Sequence, residues 1–148
     1  MKNVVTVLAS AMVLLSGSAF GQTKNGSDMT AEIQSFCNQY DDTWNNKGPG
    51  VVADTLLAKN IIFLPPTGAV VIGSANVHKI WGDTYKEPTT HKCIVQGANA
   101  EGDGAWAYGE VTITGNPAGH VRWSGFSAKQ NGQWKVQLLH VTPIKDKE

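Results

Sequence analysis

Asn60–Gly73, NIIFLPPTGAVVIG, is the stretch whose reading decides the fold. Ile61–Leu64 is a short apolar run containing two β-branched residues, which reads as a buried strand. Pro65-Pro66 ends it, because a proline ring removes the ladder donor and fixes an extended turn. Thr67-Gly68 completes the reversal and Ala69–Ile72 returns as a second strand. Gly73-Ser74 then opens a helix, with Ser74 the expected N-cap. A hairpin feeding a capped helix in so few residues marks a mixed α and β domain. It names no substrate.

Upstream, Ile33, Phe36, Cys37, Tyr40, Thr43 and Trp44 fall at helical spacing, so a long helix is expected to begin near Thr30. Asp41, Asp42 and Asn45 lie off that stripe. Gly48-Pro49 breaks the helix and starts a second one, in which Val52, Leu56 and Leu57 form the buried side and Asn60 the end. Downstream, Val77, Ile80, Trp81 and Tyr85 give a third helix over Ser74–Lys86, stopped by Pro88. From Thr89 the period changes to two. Strands are expected to Glu101, over Ala105–Thr114, over His120–Gln130 and over Gln133–Ile144, with Asn131-Gly132 the clearest hairpin turn. Helices first and antiparallel strands afterwards is an α+β pattern.

The first 21 residues read as a secretory leader. Lys2 supplies the positive end, Val4–Leu15 the apolar core, and Ala19-Phe20-Gly21 the small residues before a cut at Gln22. The expected setting is periplasmic or secreted, with no membrane attachment after cleavage. Residues 22–29 read as a flexible polar segment, 30–144 as the domain and 145–148 as a charged tail. Lys2 is the sole charge in the leader, so the remaining chain stays within one charge of neutral, and a nucleic-acid partner is not expected. Cys37 and Cys93 are open to two readings in an oxidising compartment. They are a disulfide, worth about 4 kcal/mol in the chain-entropy model, or two buried thiols that never meet.

The order of elements, FLPPTG and VIG before a helix bearing Ile80-Trp81, and the ending NGQWKVQLLHVT resemble the nuclear-transport-factor-2-like superfamily. Within it, the chain is most similar to the SnoaL-like and ketosteroid-isomerase-like small proteins. The resemblance spans about Thr30 to Ile144 and implies a cone: a strongly curved antiparallel sheet wrapped around the N-terminal helix, with two further helices and a pocket open at one end. In ketosteroid isomerases a tyrosine on the first helix donates to the enolate oxygen, and Tyr40 matches it. The position of the second oxyanion donor falls at Phe126 and that of the general base at Leu64 or Pro65. Two of the three functional groups are therefore missing, so steroid isomerisation is not expected.

The same resemblance, with the alternation of the last strand, puts His140 in the cone beside Trp134, Val136 and Leu138, two residues before Thr142. His140 is therefore expected as the acid/base group, transferring a proton, and Tyr40 as the supplier of a hydrogen bond. Trp44, Phe63, Trp81, Tyr85 and Phe126 are the expected pocket lining. Asp42 reads as a solvated carboxylate and His78 and His120 as exposed. His91, on one face with Cys93, reaches at most the pocket mouth. Single histidines on separate elements give no metal-site spacing, and no phosphate loop or dinucleotide fingerprint is present. The expected ligand is a small apolar molecule. The enzymatic reading is cofactor-free acid/base chemistry of isomerase, dehydratase or cyclase type; the alternative is a non-catalytic ligand-binding or dimerising module. Trp106 and Trp123 cannot both face inward, so a homodimer through the outer sheet face is expected.

Overall fold

The computed structural model describes residues 26–144, so the leader expected at 1–21, residues 22–25 and the tail at 145–148 lie outside the described residues. Helix α1 runs over Gly26–Lys47 and starts one turn earlier than its stripe predicts. Met29, 4% exposed, continues the stripe to Ile33 and buries the turn that was expected to be flexible, while Asp28 favours the positive helix start. Helix α2 covers Pro49–Thr55 and stops short of Asn60. Leu57–Leu64 instead forms β1, because Leu57 and Phe63 find ladder partners in the last strand (Val136 and Leu139). After β2 (Val71–Ile72), helix α3 spans Ser74–Thr84. Its N-cap is Gly73 rather than Ser74: the backbone there turns through φ 91°, where an L side chain is strained, and Gly73 N–H bonds Ile61 carbonyl.

Four long strands follow: β3 (Thr90–Glu101), β4 (Gly104–Thr114), β5 (Gly119–Gln130) and β6 (Gln133–Pro143). Asn131 and Gly132 carry the positive φ values (52° and 76°) that the β5–β6 hairpin demands. The six strands form one curled sheet in the order β2-β1-β6-β5-β4-β3, antiparallel except for the β1–β6 pair. No helix among the described residues is long and apolar enough to cross a membrane.

Two bulges set which side chains face the cone. On β3, Val95 opposes Gly109 while Gly97 opposes Tyr108, leaving Gln96 as the extra residue. On β6, Val136 opposes Ser127 while Leu138 opposes Phe126, leaving Gln137 extra. Beyond Gln137 the inward positions therefore switch from even to odd numbers. Val136, Leu139 and Val141 face the interior, and His140 faces out.

β3 is an edge strand, so half of its backbone polar groups have no neighbouring strand to bond. Helix α1 provides the partners from polar side chains. Thr30 Oγ1 accepts from Ala98 N–H (3.1 Å) and Gln34 Oε1 from Val95 N–H (2.8 Å). Asp41 accepts from Cys93 N–H (3.0 and 3.1 Å) and Asn45 Oδ1 from His91 N–H (2.7 Å). Gln34 and Asn45 also donate to the carbonyls of Cys93 and His91 (3.2 and 3.1 Å). Replacing Gln34 by Leu strands a backbone donor and an acceptor. It is expected to cost about 1–3 kcal/mol, read as a lowered urea midpoint at unchanged slope.

Candidate active site

The inner face of α1, helix α3 and the concave sheet bound a cavity of about 150 Å³. Its wall is apolar and aromatic. The structure places Tyr40, Trp44, Phe63, Trp81 and Tyr85 on that wall, packed ring against ring: Trp44 lies 5.3 Å from Trp81 and 5.0 Å from Tyr85, and Phe63 lies 5.8 Å from Trp81. Trp123 and Ser127 reach it from β5, Leu139 and Val141 from β6.

Two expected members of the site are elsewhere. His140 is exposed on the outer sheet face, its Nε2 3.4 Å from Thr142 Oγ1, because the Gln137 bulge turns it away from the cone. Phe126 is also on the outer face, with its ring 5.0 Å from Trp106. It neighbours Leu138, the outward residue just past the same bulge. His120 pairs with Glu110 on that face (3.1 Å), His78 pairs with Asp54 (2.9 Å), and Asp42 is solvated.

A polar pair that the sequence analysis left outside the cone takes their place. His91 is 7% exposed and lines the cavity between the rings of Tyr40 (5.2 Å) and Trp44 (4.8 Å). Its Nδ1 donates to Asp41 Oδ1 at 2.6 Å. Asp41 is itself buried, its carboxylate held by His91 and by the Cys93 N–H. With the Nδ1 proton committed to a carboxylate, the neutral ring carries its lone pair on Nε2, which has no hydrogen-bond partner among the described residues and is left to the cavity. Asn45 brackets the His91 backbone from both sides and fixes where the ring starts. The signal that locates this pair is a second stripe on α1. Thr30, Gln34, Asp41 and Asn45 recur at helical spacing beside the apolar residues, a polar face matched to a strand edge.

Two donors share the wall. Tyr40 brings its hydroxyl, and burial pushes its ionisation well above the ordinary tyrosine range, with the nearby Cys93 and Cys37 sulfurs adding to it. Trp123 brings a buried indole N–H that makes no full hydrogen bond among the described residues and lies toward the Cys93 sulfur. The hydroxyl-bearing Tyr85 and Ser127 line the wall as well, together with the sulfurs of Cys37 and Cys93, which lie 2.9 Å apart. Interaction with Cys37, reinforced by burial, pushes the Cys93 thiol far up. No group of three or more histidine, cysteine or acidic side chains among the described residues is arranged to hold a metal ion.

No protein-family model and no curated protein matches the chain. Solved structures do match it. A nuclear-transport-factor-2-like protein of unknown function from Pseudomonas putida superposes with a TM-score of 0.62 at 20% identity, over 82% of this chain and 91% of that one. A second such protein, from Shewanella oneidensis, gives a TM-score of 0.66 at 11% identity over 76% and 98% of the two chains. A protein of unknown function from Mycobacterium tuberculosis gives 0.65 at 19% identity over 78% and 76%. The chain has the nuclear-transport-factor-2-like fold.

Tyr40 and Cys93 make a prediction about alkali. Both are acids whose charged form the fold disfavours, so the unfolded chain ionises first, near 9.0 for the thiol and 10.0 for the phenol. The stability they contribute is complete below those values and is lost as pH rises beyond them. In the reduced protein the urea midpoint is expected to fall steadily above about pH 9. Tyr40→Phe should lessen the part of that fall beginning near pH 10, the remainder belonging to Tyr85, whose ionisation burial also raises, a difference read by parallel denaturation series.

Proposed function

We propose that the protein binds a small, largely apolar, one-ring molecule bearing an acceptor oxygen, and moves a proton on it with Asp41 and His91. The observation that carries this reading is a buried carboxylate–imidazole pair on the wall of an apolar cavity. A cavity near 150 Å³ matches the engineered, apolar-lined void of about that size that takes up benzene. A fused four-ring steroid exceeds it.

The chemistry follows from the geometry. Asp41 holds the Nδ1 proton and stabilises the imidazolium that forms when Nε2 takes a proton from the ligand. His91 then returns the proton to a different atom, which is isomerisation, or to a departing hydroxyl, which is dehydration. Charge that develops on the ligand oxygen is met by a hydrogen bond from the wall. Tyr40 suits that role because its raised ionisation keeps it a donor, and the Trp123 N–H, held only by the Cys93 sulfur, is a second candidate. His140, outside the cone, takes no part.

The exposed face of the sheet supports a homodimer as the assembly. Ile94, Trp106 and Tyr108 are each at least half exposed (56%, 50% and 53%) on neighbouring strands, with Phe126 against Trp106. An apolar patch of this kind on one sheet face favours a second copy. The leader-like residues 1–21 support a periplasmic or secreted setting.

Cyclohexenone in deuterated buffer is a suitable probe, because exchange of its acidic protons reports proton transfer directly by NMR. The protein is expected to accelerate exchange. His91→Gln should lower the rate roughly 10²–10⁴-fold, whereas His140→Gln should leave it unchanged. Saturable binding with no His91-dependent exchange would leave a non-catalytic binding module. For the assembly, sedimentation equilibrium is expected to give a dimer mass that Trp106→Asp reduces to a monomer.

A further inference from the structure

We propose that Cys37 and Cys93 are a covalent modification site, an intramolecular disulfide set into the cavity wall between α1 and β3. The two sulfurs sit 2.9 Å apart, closer than non-bonded sulfurs rest, and need to approach by less than about 1 Å to reach bonding distance. Both side chains are buried (7% and 4% exposed) and face the same cavity. Neither element needs to move far: Asp41 lies one helical turn after Cys37 and already grips the Cys93 N–H.

The oxidant is of the disulfide class. One cysteine thiolate attacks it, forming a mixed disulfide and releasing one thiol of the oxidant. The second cysteine thiolate then attacks the protein sulfur of that mixed bond, releasing the other thiol. The protein loses two electrons and two protons, and the oxidant is reduced to two thiols. Burial fixes when this happens. In the folded dithiol form the Cys93 proton is held tightly, so thiolate is scarce. The bond therefore forms as the chain folds, while the thiols are still reachable, and is shielded from reductants afterwards.

The bond would staple the two elements that Asp41 and His91 come from. Cys93 is two residues beyond His91 on the same strand face, and Cys37 is on the cavity-facing stripe of α1. Oxidation therefore rigidifies the joint across which the carboxylate meets the imidazole, and removes two S–H groups from the wall. The existence of the bond does not depend on catalysis, so its test stands apart from that of the proposed chemistry.

The experiment refolds the full chain from guanidinium in a buffer of oxidised and reduced glutathione, with a parallel sample held unfolded. Each is acid-quenched, alkylated under denaturing conditions and weighed intact. The refolded protein is expected to take up no alkylating reagent until it is reduced, and then two equivalents, with an unreduced mass two hydrogens lighter. The equilibrium constant for the bond should exceed that of the unfolded sample by on the order of 100-fold, the size of a typical disulfide effect on stability. Two free thiols in the refolded protein, glutathione held on either cysteine, or an equilibrium constant no greater than in the unfolded chain would overturn the proposal.

Discussion

The open edge of β3 is the constraint on which the rest of the structure depends. An edge strand next to a helix has backbone donors and acceptors that neither water nor another strand satisfies. Helix α1 meets this need with a row of short polar side chains, from Thr30 to Asn45, each placed opposite a β3 backbone group. That row fixes the axial position of α1 along the strand. The apolar stripe beside it then has one way to face, into the curl of the sheet, where Ile33, Phe36, Cys37, Tyr40 and Trp44 form one wall of the cavity. The candidate site is a by-product of this docking. Asp41 belongs to the same row: its two oxygens share the Cys93 N–H, and one of them, Oδ1, also holds the His91 ring.

Most of the architecture was legible because it rests on local rules. The turn at Pro65–Gly68, the break at Gly48-Pro49 and the hairpin at Asn131-Gly132 are set by backbone chemistry that a few residues determine. The aromatic wall followed from helical periodicity. Periodicity failed where a polar side chain serves a backbone partner, since a hydrophobic pattern assigns both the buried Asp41 and the exposed Asn45 to water. It failed again where a strand carries one residue too many. Simple alternation along β6 keeps His140 with Trp134 and Val136, yet Gln137 reverses the parity between them. Counting along the family resemblance places Phe126 in the site, whereas plain alternation along β5 sends Val121, Trp123, Gly125 and Ser127 inward and Phe126 out. Bulges leave little trace in a single sequence, because any exposed residue can be the extra one.

The two histidines make the difference chemically clear. His140 has open surroundings and a weak contact to a neighbouring hydroxyl. His91 has a carboxylate on one nitrogen, aromatic rings on its faces and a bracketed backbone. Only the second has its ring direction set before any ligand arrives, which is the preorganisation that the proposed proton transfer calls for.

The position of β6 in the sheet bears on the order in which the protein can be completed. Among the described strands it is the last to be synthesised, yet it lies in the interior of the sheet and joins β1 on one side to β5 on the other. Until it emerges, the sheet is in two pieces, the β1–β2 hairpin and the β3–β4–β5 meander, linked through α1, which packs on α2 and along β3. Neither encloses the cavity. The final strand thus acts as a keystone, and a chain stopped even a dozen residues short is left with two half-sheets and no cone.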